Sequence, residues 1–505
     1  MIDAPYSGAN TRRNIVAFLI GKVPTALLTV SILGLSARTL IAAEFGRYVL
    51  VMALIEIVLG TSTLGLDWVL LRYAPVYRLN GCRRGLIRMI AAVAAARCLV
   101  LSLIALLMLA TSRALTAAGY ALPIPLDLLW PFGILLVVEG VTRILRDNTL
   151  EALALQSRLQ LVLVARSSTI LLVLSYLNAH GGAVAAQLVL AEAGASALGL
   201  LLALLAVANA VAAMPTSDLP WQRPGARQML QVAVLNYASG IVEYLYSPNF
   251  LILLLARYEA AAAIGGLGFV LRLTDIIRNY LPGMLVFGLV RSRMIGAYVR
   301  GKDYGELRMW AQFLYKISLL TLLPVMGLVF IDGEQILRLA SAGRYAAYHS
   351  LFAVLCCWLA LRLHRLILGV VFNAVELMSA WVRGSLLSLM VLPVIFMLGR
   401  EWLGIWFVVV ALFGNELIVV VLAVLSLRQR GFGWTIGARW MARALAALAL
   451  GCAVTWWLPQ EGGSALIAAA VLLVGGYGAG VLLFGVLDRQ DRQLVNRSVG
   501  RTVFR

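Results

Sequence analysis

Five groups of polar side chains recur at helical spacing inside otherwise apolar stretches. Lys22, Thr25 and Thr29 stand at i, i+3, i+7; Glu56, Gly60, Thr63 and Asp67 at i, i+4, i+7, i+11; Asn236, Gly240, Glu243 and Ser247 repeat that second spacing. Arg272, Asp275 and Arg278 follow at i, i+3, i+6 with Asn279 beside them, and Trp358, Arg362 and Arg365 share one side of a further stretch. On helices these offsets put each group on a single face, wet on one side and oily on the other. Collected in one cavity, Lys22, Arg272, Arg278, Arg362 and Arg365 suit an anion, because guanidinium groups offer phosphate oxygens a planar fork of donors. Glu56, Glu243 and Asp275 are then the acids that hold those arginines or titrate. The competing reading is internal ion pairing, such as Arg272 with Asp275, that serves helix packing alone.

The elements that carry these residues follow from composition. Of 505 residues 62% are hydrophobic and 13% charged, with a mean hydropathy of +0.92, far from the roughly quarter-charged balance of soluble domains. About 20 apolar residues make a helix that crosses the hydrocarbon, and fourteen runs of that kind appear. They lie at about 14–36, 47–71, 87–111, 127–147, 157–178, 183–213, 230–256, 264–290, 309–331, 347–372, 379–399, 403–427, 439–459 and 464–487. Long blocks rather than ten-residue alternation exclude a barrel. The expected fold is therefore an all-α polytopic membrane protein. A charge buried in a span costs about 2.5–3.5 kcal/mol and marks a wet cavity or a partner. Arg97, Glu139, Arg166, Glu192, Lys316 and Glu416 are also intramembrane charges, with snorkelling or capping as alternatives to a cavity role.

The formal net charge of +19 does not point to nucleic acid once its location is read. Divided by alternate loops, 27 of the 42 Lys and Arg fall on the side shared by both termini, 7 on the other and 8 within spans. That asymmetry predicts cytoplasmic termini. The three histidines, His180, His349 and His364, are scattered, so no metal site and no cofactor is expected, and no catalytic set is found.

A segment with Pro215, Pro220 and Pro224 separates spans six and seven. The predicted organisation is an N-lobe at 1–213, a cytoplasmic linker at 214–229, a C-lobe at 230–428, and two further helices with a basic tail at 429–505. Shifting the sequence by 219 positions aligns Gly46–Arg72 with Gly265–Arg291 and sets Glu56 on Asp275. Repeats of six spans keep their orientation, which predicts two pseudo-symmetric lobes with a substrate site near the midplane between them.

Ala43-Glu44-Phe45-Gly46-Arg47-Tyr48, then Leu64-Gly65-Leu66 and Leu71-Arg72-Tyr73-Ala74-Pro75, resemble the polysaccharide-transporter (Wzx-type flippase) branch of the multidrug/oligosaccharidyl-lipid/polysaccharide superfamily. Two further stretches, Leu251 to Pro282 and Ile336 to Tyr345, carry the same resemblance. It implies a flippase of the bacterial inner membrane that moves a polyprenyl-pyrophosphate-linked oligosaccharide to the outer leaflet by alternating access. The implied partners are membrane lipids, polysaccharide polymerase and export machinery. Lys22, Arg272 and Arg278 would then hold the phosphates with Arg362 and Arg365 as secondary contacts, and Tyr244, Tyr280 and Trp358 would stack on sugars. Proton or sodium coupling through Glu56, Glu243 or Asp275 is left open. Span one offers only Lys22 where lipid II flippases carry arginines, which favours another glycan over lipid II. A twelve-span, acid-lined cation antiporter of the drug-export branch is the alternative. A membrane enzyme is disfavoured by external loops, at 112–126 and 332–346, of only about fifteen residues.

Overall fold

Every regular element among the described residues is helical, as apolar chain segments require where no water is at hand to satisfy backbone amides. In the computed structural model the described residues are 8–118, 125–215, 224–281, 284, 298, 303–375, 377–456, 462–488 and 491–492, with the side chains of 8–19, 235–236, 238–240, 242–243 and 400 not described. Eleven helices are long and apolar enough to cross a membrane, or twelve with one bent pair taken as a single span.

The first half comprises α1 (Gly8–Thr39), α2 (Ala42–Thr61), α3 (Leu66–Leu79), α4 (Arg83–Ala117), α5 (Leu126–Arg143), α6 (Gln156–Ala179) and α7 (Ala185–Ala212). The second half opens with α8 (Ala226–Tyr244), α9 (Pro248–Leu255) and α10 (Ala261–Tyr280). After these come α11 (Tyr304–Ser341), α12 (His349–Ala374), α13 (Met378–Leu403), α14 (Trp406–Gln429), α15 (Ala438–Thr455) and α16 (Gly463–Leu483).

Spans seven and eight are the predicted spans with no helix long and apolar enough to cross a membrane among the described residues. Span seven is interrupted between α8 and α9, where Ser247 caps α9 by accepting from the Phe250 amide. Span eight is α10, which ends at Tyr280, and the rest of that predicted run lies largely outside the described residues. Span two is the bent pair, α2 and α3, which meet at 58°. Leu64 and Gly65 both take positive φ at the bend, of 49° and 71°, a conformation glycine adopts without a Cβ penalty.

The 219-residue offset found in one stretch of sequence extends to the element limits. It carries Ala42 and Thr61, the ends of α2, onto Ala261 and Tyr280, the ends of α10. The same shift takes α1 to α8 and α9, α4 to α11, α6 to α13 and α7 to α14 within a few residues at each end. The second half of the chain thus repeats the helix order of the first.

The chain divides into two compact units, Met1–Phe269 and Val270–Arg505. In the first, α1 packs on α6, α5 on α4 and α7, and α8 and α9 lie against α2 and α3. Its core gathers Leu70, Leu86, Leu145, Leu150 and Leu153, all at most 2% exposed. In the second, α12 packs on α11 and α14, α13 on α14, and the terminal pair α15 and α16 on α11. The span-seven helices therefore pack with N-terminal helices although they follow the linker.

Close approach within the first unit depends on Gly46. A Cβ there would stand 1.7 Å from the Ala261 carbonyl oxygen, a backbone atom that no rotamer change moves aside. Gly46→Ala is expected to cost about 1–3 kcal/mol through overpacking, read as a lower melting temperature of the purified protein. Gly194→Ala, whose Cβ meets nothing within 4 Å, is the control. Equal melting of both variants would remove the close-approach argument.

Candidate functional site

In the first unit a connected network of intramembrane charges is centred on α5. Glu139, Arg143 and Arg146 stand at i, i+4, i+7 and so share a face. The helix does not stop at Arg143: it continues through a π-helical segment, Ile144–Thr149, to a last turn at Leu150–Ala152. Wider turns of this kind occur mostly at functional positions in helices. Here the segment carries Arg146 and Asp147.

Glu139, with a side chain 4% exposed, accepts from Arg143 Nε at 2.9 Å and lies 3.3 Å from Arg166 and 3.5 Å from Arg146. Ser196 Oγ donates to its second oxygen at 2.7 Å. Arg166 reaches on to Glu192 at 2.6 Å, and Glu192 accepts from the Tyr48 hydroxyl at 3.0 Å. At the wetter edge Arg143 grips Glu56 through both terminal nitrogens, at 2.5 and 2.8 Å, and Arg146 grips Asp147 at 2.7 and 2.8 Å. Lys22 on α1 is half-buried and feels the Asp147 charge. Four cations and four acids are thus balanced across α1, α2, α5, α6 and α7. Such a cluster fixes helix faces against one another, since each charge left alone in a dry setting would be costly.

The bend between α2 and α3 is a second polar point. Arg97, 4% exposed, donates to the Leu59 carbonyl, one of those at the end of α2. Asp67 lies in the first turn of α3, so each broken helix end faces a charge of the sign its dipole favours. The Tyr237 hydroxyl of α8 donates to Thr61 O at 2.7 Å. The Tyr244 ring fills the space that Gly60 leaves, where a Cβ would come within 2.1 Å of it. Tyr244 is therefore a packing residue at the bend as well as a half-buried ring.

In the second unit Arg362 and Arg365 converge on Glu416 of α14, at 2.9 and 3.5 Å. The Glu416 side chain is fully buried. Arg362 lies over the Trp358 ring at 5.7 Å and Arg365 over Trp381 at 5.9 Å. Trp358 is 1% exposed, so in this conformation neither ring face is open to a ligand. On α10, Arg278 pairs with Asp275 at 3.0 Å, and its Nε is buried without a hydrogen-bond partner. Arg272 and Tyr280 are half-buried on the same helix. Lys316 is held elsewhere, by Asp491 at 2.9 Å and Asp488 at 3.4 Å.

Of the predicted site residues, the structure brings together Trp358 with Arg362 and Arg365, and Arg278 with Asp275. Lys22, Glu56 and Tyr244 belong to the first unit; Arg272, Asp275, Arg278, Tyr280, Trp358, Arg362 and Arg365 belong to the second. The Glu243 side chain lies outside the described residues. Arg143, Arg146 and Asp147 were not singled out by sequence, and the helical spacing from Glu139 is the signal that finds them.

No protein-family model matches this chain, and no curated protein matches it. Solved structures do. The lipid II flippase MurJ in an inward-closed conformation matches over 96% of this chain and 100% of that one, with a TM-score of 0.69 at 12% identity. An inward-facing multidrug-resistance MATE transporter of the MOP superfamily matches over 82% and 98%, with a TM-score of 0.57 at 13% identity. A Vibrio cholerae MATE transporter gives 83% and 98%, 0.52 and 15%. The chain shares the all-helical, many-times membrane-crossing fold seen in these structures.

Proposed function

We propose that this chain, built on the MOP-type fold, is a flippase that carries a polyprenyl-pyrophosphate-linked oligosaccharide from the cytoplasmic to the periplasmic leaflet of a bacterial inner membrane. Fourteen spans with both termini cytoplasmic, two six-helix lobes and two additional helices complete this reading, and alternating access is its mechanism. The product would be handed to polysaccharide polymerase and export machinery for cell-surface assembly.

One observation carries the reading: the likeness to a lipid II flippase takes in 96% of this chain, against 82–85% for the MATE transporters. A headgroup with two phosphates needs cations beyond those spent on helix packing. Within the network around Glu139 four cations meet four acids, and α10 and α12 add Arg272, Arg278, Arg362 and Arg365, with Asp275 and Glu416 as their described acids. Lys22, Arg272 and Arg278 are the phosphate ligands in this proposal, with Arg362 and Arg365 as secondary contacts. Glu56 and Asp275 act first as arginine holders, through Arg143 and Arg278.

A second reading, export of small organic cations, is favoured by the acids Glu56, Glu139, Asp147 and Glu192, which match the four cations of the first unit's network. Deleting the gene separates the two. The flippase reading expects accumulation of a lipid-linked glycan, whose mass spectrum also tells lipid II from another oligosaccharide. Normal lipid-linked glycan levels together with new sensitivity to toxic organic cations would overturn it.

A further inference from the structure

A groove of about 640 Å³ lies within the first unit between α3, α4 and α8. Its lining is apolar, with buried Val69, Met89 and Val93 and the exposed Leu230, except where it carries Arg84 and Arg88. Both arginines are exposed, no acid lines the groove, and among the described residues neither arginine forms an ion pair. On the other side of α4 a recess of about 440 Å³ repeats the pattern, with Arg83 beside an otherwise apolar lining.

Arg83, Arg84 and Arg88 occupy the first two turns of α4, where the first turn holds no acidic residue. The N-terminal end of a helix carries partial positive charge and favours anions, so three arginines there compound an unfavourable field that an anion relieves. Arg84 and Arg88 are one turn apart on one face, and Val93 lies about 7–8 Å deeper along the helix at ~1.5 Å per residue. The two arginines therefore sit at headgroup level when the apolar part of α4 spans the membrane, and Val93 at the depth of acyl chains. Clusters of basic residues at the cytoplasmic ends of spans read as anionic-lipid contacts.

We propose that this groove binds an anionic phospholipid, its phosphate held by Arg84 and Arg88 and one acyl chain laid over Met89, Val93 and Leu230. The proposal stands whether the cargo is a glycan lipid or an organic cation. Because α8 forms one wall and also donates to Thr61 at the bend of the second span, a lipid seated there ties α8 to α3 and α4. A ligand that binds this arrangement and not its alternative shifts the population toward it.

The test is lipid titration of the purified full chain in a mild detergent, read by native mass spectrometry and by thermal denaturation. Phosphatidylglycerol is expected to remain bound and to raise the melting temperature, and phosphatidylcholine to do neither. The double variant Arg84→Gln, Arg88→Gln is expected to bind phosphatidylglycerol at least tenfold more weakly while melting like the wild type without lipid. Ala92→Trp keeps both charges and fills the groove, and is expected to lose the lipid as well. Unchanged lipid retention in both variants would overturn the proposal. So would equal stabilisation by phosphatidylcholine, by inorganic phosphate alone, or by a polyprenyl pyrophosphate that displaces the phospholipid.

Discussion

Glu139→Ala is expected to lower the stability of the protein by about 3–5 kcal/mol, the range for removing one partner from a buried charge pair. Glu139 is the node at which Arg143, Arg146 and Arg166 meet from α5, the π-helical segment and α6. Each arginine keeps one other carboxylate, in Glu56, Asp147 and Glu192 respectively, so charge remains nearby. Geometry does not. Arg146 is 7% exposed at its side chain and already has one terminal nitrogen without a hydrogen-bond partner, and alanine at 139 would leave its guanidinium with a single acid. Ser196 would also lose its acceptor on Glu139. Glu139→Gln retains the shape and some of these hydrogen bonds and is expected to lose less. Asp147→Asn, at a side chain 42% exposed, should cost under about 1 kcal/mol because water screens the pair. Thermal denaturation of the three variants in detergent gives the order. A Glu139→Ala protein that melts with Asp147→Asn would mean that the network does not hold the helices.

The part of the fold that the sequence made legible is the part written in hydropathy. Lipid admits little besides helices, so the apolar blocks at 87–111 or 403–427 needed no further signal to be read as spans, and the structure has α4 and α14 there. The 219-residue offset was visible in one stretch because Glu56 and Asp275 are rare residues in such a setting. Elsewhere the repeat survives in helix lengths and not in residue identities, which is why element limits reveal it more fully. Less legible is how span four ends. Ile144-Leu145-Arg146-Asp147-Asn148-Thr149 has the composition of a helix terminus at the membrane edge, which is why Arg143 and Arg146 do not stand out as buried charges in the sequence; the chain keeps winding as a π-helix and buries Arg146. The bend in span two is not legible from hydropathy, because Thr61-Ser62-Thr63, Leu64-Gly65 and Asp67 interrupt a run that is long enough to be read as one span.

Candidate site residues were found as helix faces, which is all that spacing reports. Which face meets which is a tertiary fact. The partner of Glu56 is Arg143, 87 residues away, and that of Arg362 is Glu416, 54 residues away. Buried Trp358 shows the same limit: its place beside Arg362 is legible from i, i+4, but its burial is not. Polar residues in lipid are placed by what they must neutralise, and one helix's spacing does not contain that information.

Arg278→Ala is expected to abolish export of the lipid-linked glycan at unchanged protein abundance, whereas Asp275→Asn is expected to retain it. The two residues form one ion pair at 3.0 Å on consecutive turns of α10, so a purely structural role predicts matched effects from the two changes. The proposed role is asymmetric. Asp275 is 39% exposed at its side chain and gains little from the pair in a wet setting, while Arg278 has a buried Nε with a hydrogen-bond donor to spare. Removing the carboxylate leaves the guanidinium charge in place and opens its fork to phosphate oxygens. Removing the guanidinium leaves a carboxylate that repels the cargo. Arg278→Lys separates charge from geometry: a point charge without the planar fork should restore part of the export and not all of it. Lipid-linked glycan in the cytoplasmic leaflet, measured by mass spectrometry in cells carrying each variant, is the readout. Equal export by Arg278→Ala and Asp275→Asn would assign the pair to helix packing and leave the phosphate to Arg272 and Lys22.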